Sequence, residues 1–223
     1  TTLLHAMNWR ERLENKSLRD QIGHDPFSDK NIGVYLKLPH YGLDGLEKWL
    51  ARAPEQAKAP LASLYLDTLW IPSLILAITT LADAGVIDIS SKQESDLSAD
   101  FCREFPSIGR LTKRQDVGLA ALSTAIGIIK RLIEEAFRFG GSLEDLSKHI
   151  PSTGIGELGR RFADMAGQHL KGLAGQEPWS FKICLDEGEC LSLFFQKVLN
   201  TCVRTTNRPL YFLVAYVRKP DAA

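Results

Sequence analysis

Phe181-Lys182-Ile183-Cys184-Leu185-Asp186-Glu187 is the stretch on which the fold turns. A nearly unbroken apolar run gives way to two adjacent carboxylates. Such a run predicts a strand buried on both faces, as in a parallel sheet covered by helices. In open α/β sheets ligands bind beyond the carboxyl ends of the strands, which is where Asp186 and Glu187 would emerge. Two acids at that point fit a division of labour in which the first holds a divalent metal and the second orients or deprotonates a water.

Working outward, Leu191 to Arg204 predicts a helix and Pro209 to Val217 a second buried strand. Strand, helix, strand of this length is a right-handed parallel crossover. At the other end, Thr1-Thr2-Leu3-Leu4-His5-Ala6-Met7 opens a helix expected to run from Thr2 to Glu14. In a phosphate-binding motif, the Gly-rich loop and its Lys lead directly into a Ser or Thr that starts an apolar helix. On that pattern Thr1, or else Thr2, is the hydroxyl that binds magnesium, and the chain begins just after the phosphate loop. The alternative is that Thr1 and Thr2 are only N-caps. A further strand is expected at Ile32 to Leu38, where Tyr35 and Lys37 alternate with apolar residues as at a sheet edge.

Between that strand and Phe181 lie about 140 residues without a strand signal, far more than a βαβ crossover needs. They predict an all-helical insertion over 43–177, flanked by core segments 1–42 and 178–223. Its helices are expected at Gly45–Ala53, Leu61–Ala84, Glu94–Glu104, Gln115–Phe139, Leu143–His149 and Ile155–Leu173, with Gly, Pro and Ser breaks between them. Leu119, Leu122, Ile126, Ile129, Ile133 and Phe137 form one apolar helix face, either packed inside the insertion or offered to a protein partner. Lys130 and Arg131 precede Glu134 and Glu135 at helical spacing, which favours intrahelical ion pairs over an open basic patch.

Taken together, the strand with Asp186-Glu187, the helix containing Phe195-Gln196-Lys197-Val198-Leu199-Asn200 and the strand Tyr211 to Tyr216 resemble P-loop NTPases of the AAA+ class. They are most similar to bacterial relatives of the origin-recognition initiator ATPases. The resemblance implies a partial P-loop core of α/β class with a parallel sheet, and a Walker B strand ending at Asp186. It further implies ATP and Mg2+ as ligands, ATP hydrolysis with Glu187 as base, and a homo-oligomer that rearranges a protein or protein–nucleic acid assembly. Arg204 or Arg208 would then serve as an arginine finger in trans, or cap the carbonyl end of their helix. Where AAA+ strands usually end in a polar sensor this chain has Ala215-Tyr216, so Tyr216 or Arg218 would stand in for it. Without the phosphate loop, residues 1–223 alone are expected to bind ATP poorly and to be inactive. The competing possibility is a non-catalytic helical interaction module on a degenerate P-loop scaffold, in which Asp186-Glu187-Gly188-Glu189 only caps the next helix.

Composition fits a cytoplasmic protein. Lys plus Arg equals Asp plus Glu at 27 each, so global charge selects neither nucleic acid nor an anionic membrane, and a nucleic-acid partner is left open. The longest apolar stretch, Leu69 to Ala82, contains Pro72 and falls short of the roughly 20 residues of a bilayer span. It predicts a buried helix. Cys102, Cys184, Cys190 and Cys202 are spaced too widely for a C-x-x-C zinc site or a disulfide framework. The five histidines do not cluster.

Overall fold

A computed structural model describes residues 2–15, 17, 20, 25, 27–112, 118–170 and 178–215. Three parallel strands form its sheet: β1 (Asn31–Lys37), β2 (Ser180–Asp186) and β3 (Leu210–Val214), in the order β1-β2-β3. The Phe181 run is therefore the central strand of the three. Its residues Phe181, Ile183, Cys184 and Leu185 are all buried, as continuous apolarity predicts. Tyr35 and Lys37 do lie on an edge strand: among the described residues β1 pairs on one side with β2 and otherwise meets only an isolated bridge from Asn8 to Gly33.

The opening helix is two helices, α1 (Thr2–Met7) and α2 (Trp9–Glu14), broken at Asn8. The break allows the Asn8 backbone to bridge Gly33. A Cβ at Gly33 would lie 1.9 Å from the Met7 carbonyl oxygen, so only glycine admits this approach. Arg12 then pins α2 to the start of β1, donating to the Asn31 carbonyl at 2.8 Å and pairing with Asp29 at 2.7 Å.

Between β1 and β2 the described residues contain helices and loops only. The helices are α3 (Leu43–Leu50), α4 (Glu55–Asp83), α5 (Ser91–Glu104), α6 (Pro106–Leu111), α7 (Leu119–Phe139), α8 (Leu143–Ser147) and α9 (Glu157–His169). After β2 comes α10 (Leu193–Thr205), which leads back to β3. The longest, α4, begins earlier than its apolar run and continues through both Pro60 and Pro72. Proline inside a helix costs about 3 kcal/mol, and here burial on nearly every side outweighs it. By length and composition α4 could cross a membrane, but 83% of its most apolar window is buried inside the fold, which marks a core helix.

A single hydrophobic core joins helices and sheet. The apolar stripe on α7 belongs to it: Leu119, Leu122, Ile126, Ile129 and Ile133 are fully buried, with α7 packed along α4. This face is interior and is not offered to a partner. Lys130 and Arg131 pair with Glu134 and Glu135 as their spacing predicts. α5 starts three residues earlier than expected, behind a reciprocal capping box of Ser90 and Gln93.

α4 also holds the start of α9 from the side. Ser63 Oγ accepts from Gly156 N at 2.7 Å, and one turn later Asp67 Oδ2 accepts from Gly159 N at 3.1 Å. Asp67 Oδ1 takes the Trp70 indole N–H at 3.2 Å. Two side chains of one helix thus satisfy amide donors that the first turn of another leaves unpaired.

Candidate functional site

Asp186 closes β2 and is 2% exposed. In register, Lys37 lies opposite Asp186 and Tyr35 opposite Cys184, so these four side chains share one face of the sheet. Tyr35 and Lys37 of β1 each address one acid. The Tyr35 hydroxyl donates to Asp186 Oδ2 at 2.6 Å, and Lys37 Nζ lies 2.6 Å from Glu187 Oε1. Burial, then the hydrogen bond to Asp186, pushes the Tyr35 phenol up to about 12, so it keeps its proton and remains the donor. The hydrogen bond and charge of Glu187 likewise raise the Lys37 ammonium above its ordinary value.

α1 covers this face. The His5 ring stacks on Tyr35 with centroids 4.1 Å apart, while Asn8 bridges Gly33 nearer the start of β1. α1 therefore runs against the strands. From His5 back to Thr2 the helix advances roughly 4.5 Å, and from Tyr35 to Lys37 the strand advances roughly 6.6 Å in the same direction. The amino end of α1 is thus directed to the end of the sheet that carries Asp186 and Glu187. On the opposite face, Leu36 and Leu185 meet Trp70 of α4 and Leu199 of α10.

Glu187 turns the chain out of β2 in a left-handed conformation (φ 60°, ψ 42°). For a residue with a Cβ this costs on the order of 1 kcal/mol or more and persists only where the surroundings enforce it. The surroundings here are the ends of the neighbouring strands. Gly188 N donates to the Ala215 carbonyl at 3.0 Å and Ala215 N to the Leu185 carbonyl at 2.9 Å, which fastens the end of β3 beside the acids.

Glu187 is not a side-chain cap of the segment that follows it. Glu187 makes no side-chain cap bond to the short 3-10 turn Gly188–Cys190, and α10 has its own cap, Ser192 Oγ accepting from Phe195 N at 3.3 Å. Among the described residues no three His, Cys, Asp or Glu side chains converge as a metal cage. The donor set suits magnesium instead, which is held through one or two carboxylates with phosphate oxygens and water completing its shell.

Thr1 and Tyr216 lie outside the described residues, and Thr2 opens α1. Arg204 is exposed in the last turn of α10, and Arg208 is exposed just before β3. Arg208 borders a cavity of about 520 Å³ with Glu104, Arg161 and Asp164. Because the strands are parallel, this is the amino end of the sheet, opposite Asp186, so Arg208 does not serve the acids of its own chain. Sequence reasoning missed Tyr35 and Lys37 as site residues. Their alternation along the strand flanking β2 is the available signal, and by itself it indicates only edge polarity.

A family model described as ORC-CDC6-like matches residues 1–220. The chain belongs to the ORC-CDC6-like family. It is therefore a relative of the AAA+ initiator-type ATPases, a class that binds nucleotide with Mg2+ and often oligomerises. No curated protein and no solved structure matches this ORC-CDC6-like chain. Family membership and the geometry of β2 concern the same residues, since the match takes in both Asp186 and the start of α1.

Proposed function

We propose that this chain is the ATP-binding and ATP-hydrolysing core of a cytoplasmic AAA+-like ATPase that rearranges a protein or protein–nucleic acid assembly. The observation that carries the proposal is Asp186-Glu187 at the carboxyl end of the central parallel strand, with the amino end of α1 directed at them. Asp186 is the magnesium carboxylate, and the hydroxyl of Thr1, or else Thr2, is its second protein ligand. When bound, Mg2+ would neutralise the charge that develops on the phosphate oxygens of ATP. Glu187 orients and deprotonates the attacking water once its carboxylate leaves Lys37.

Segments 1–42 and 178–223 supply the P-loop core in this scheme, and 43–177 is its helical insertion. A protein partner of that insertion uses faces other than the buried stripe of α7. Arg204 or Arg208, at the far end of the sheet from the chain's own acids, acts in trans on a neighbouring subunit of a homo-oligomer, and Tyr216 serves as sensor.

A non-catalytic interaction scaffold is favoured by one observation, the ion pair that engages Glu187 with Lys37. Titration of the full-length protein with a fluorescent ATP analogue, in Mg2+ and in EDTA, separates the two. The ATPase core predicts tighter binding in Mg2+ and loss of that difference in Asp186→Asn. Equal binding in both buffers, or no binding, favours the scaffold.

A further inference from the structure

The Tyr35 hydroxyl and the Asp186 carboxylate are brought together by the parallel pairing of β1 with β2, although nothing in the Walker B pattern itself requires a tyrosine on the adjacent strand. Tyr35 makes two contacts at once. Its hydroxyl is 2.6 Å from Asp186 Oδ2, and its ring lies against His5 at 4.1 Å between centroids with an interplanar angle of 29°. His5 stands one helical turn beyond the start of α1. A continuous path of contacts therefore runs from that helix through an aromatic stack to the carboxylate.

We propose that Tyr35 is a positioning residue that fixes the orientation of the Asp186 carboxylate for a divalent cation and, through His5, ties that orientation to α1. The proposal rests on the assignment of Asp186 as the magnesium carboxylate.

The physical basis is the general dependence of metal ligands on their outer partners. A ligating carboxylate held by a hydrogen bond loses less rotational freedom when it binds, and removing such a partner typically weakens metal affinity about 10- to 100-fold. The donor is suited to the task because a phenol supplies one directed hydrogen bond and no competing positive charge. An ammonium at the same place would repel the cation. On β1 that charge is assigned to the other acid, with Lys37 on Glu187. The strand thus presents a neutral donor to the metal carboxylate and a cation to the neighbouring glutamate.

The test is a titration of the full-length protein with Mn2+ in the presence of ATP, read by electron paramagnetic resonance, alongside ATP affinity in EDTA. Tyr35→Phe keeps the ring and its stack but removes the hydroxyl. It is expected to weaken Mn2+ binding about tenfold or more while ATP affinity in EDTA stays unchanged. His5→Ala, which leaves the hydroxyl in place, is expected to weaken Mn2+ binding in the same direction by less. Asp186→Asn calibrates the assay by abolishing the Mn2+ signal. If Asp186→Asn abolishes it and Tyr35→Phe matches wild type, the role of Tyr35 is overturned and the assignment of Asp186 survives. If Asp186→Asn itself binds Mn2+ as wild type does, the assignment of Asp186 falls and the role of Tyr35 falls with it.

Discussion

Lys37 Nζ and Glu187 Oε1 stand 2.6 Å apart across the ends of β1 and β2, so the glutamate proposed to orient water is held by an ammonium from the neighbouring strand. Both side chains are partly exposed, at 41% and 30%. Solvent screening therefore leaves the pair little effect on stability. Its consequence is conformational: it fixes where the carboxylate points. Lys37→Met is expected to leave unfolding free energy nearly unchanged and to raise ATP turnover by releasing Glu187. Denaturant melts and steady-state turnover measured on one preparation check both halves, and a large stability loss would contradict the first.

Gly33 is where α1 and β1 come into backbone contact. Gly33→Ala would place its Cβ 1.9 Å from the Met7 carbonyl oxygen, and backbone on both sides leaves little room to adjust. A destabilisation of about 1–3 kcal/mol or more is expected. Because α1 brings His5 to Tyr35, nucleotide-dependent Mn2+ binding should fall with it. Thermal melting and the Mn2+ titration together report this, and a variant as stable as wild type would show that the approach is looser.

Asp67 makes stability depend on pH. Burial pushes its carboxyl up to about 7, against the opposing pull of the hydrogen bonds from Gly159 N and the Trp70 indole. The groups facing it are those neutral donors and the Cys202 thiol, which is itself pushed up to about 12 chiefly by burial. The folded-state value lies above the unfolded one of 3.8. As pH rises from 4 to 8 the unfolded chain gives up its proton first, so this group's contribution to stability falls, by up to about 4 kcal/mol. Other carboxylates titrate too, and the useful quantity is the difference between wild type and Asp67→Asn. Wild type should lose ground to the variant between pH 4 and pH 8 in urea melts. A difference that does not change with pH would contradict this account.

Ser192 and Glu187 separate capping from chemistry. Ser192→Ala removes the observed cap of α10 and should cost about 1 kcal/mol, with nucleotide binding retained. Glu187→Gln removes no cap bond, so it should leave stability nearly unchanged. Equilibrium melts of the two variants decide the point, and the reverse order of costs would make Glu187 a capping residue.

Much of this arrangement is legible in the sequence because burial on both faces writes continuous apolarity, and β2 displays it from Phe181 to Leu185. The same holds for α7, whose stripe of Leu and Ile at spacings of three and four is core. Less legible is whatever depends on contacts between distant segments. The break at Asn8 exists because Gly33 admits a backbone, and nothing near Asn8 announces it. α4 passes through Pro72 because tertiary packing outweighs a local penalty. The partners of the two acids, Tyr35 and Lys37, are set by parallel register with β2, a relation that propensity and periodicity do not encode.

The central claim is that Asp186 and Glu187 act on ATP. The most direct measurement is steady-state ATP hydrolysis by the full-length protein, with nucleotide binding monitored in parallel, for wild type and Glu187→Gln. Turnover by wild type, with a variant that binds ATP and does not hydrolyse it, is the predicted result. A variant that hydrolyses ATP at the wild-type rate, or a wild type that binds no ATP, would contradict it.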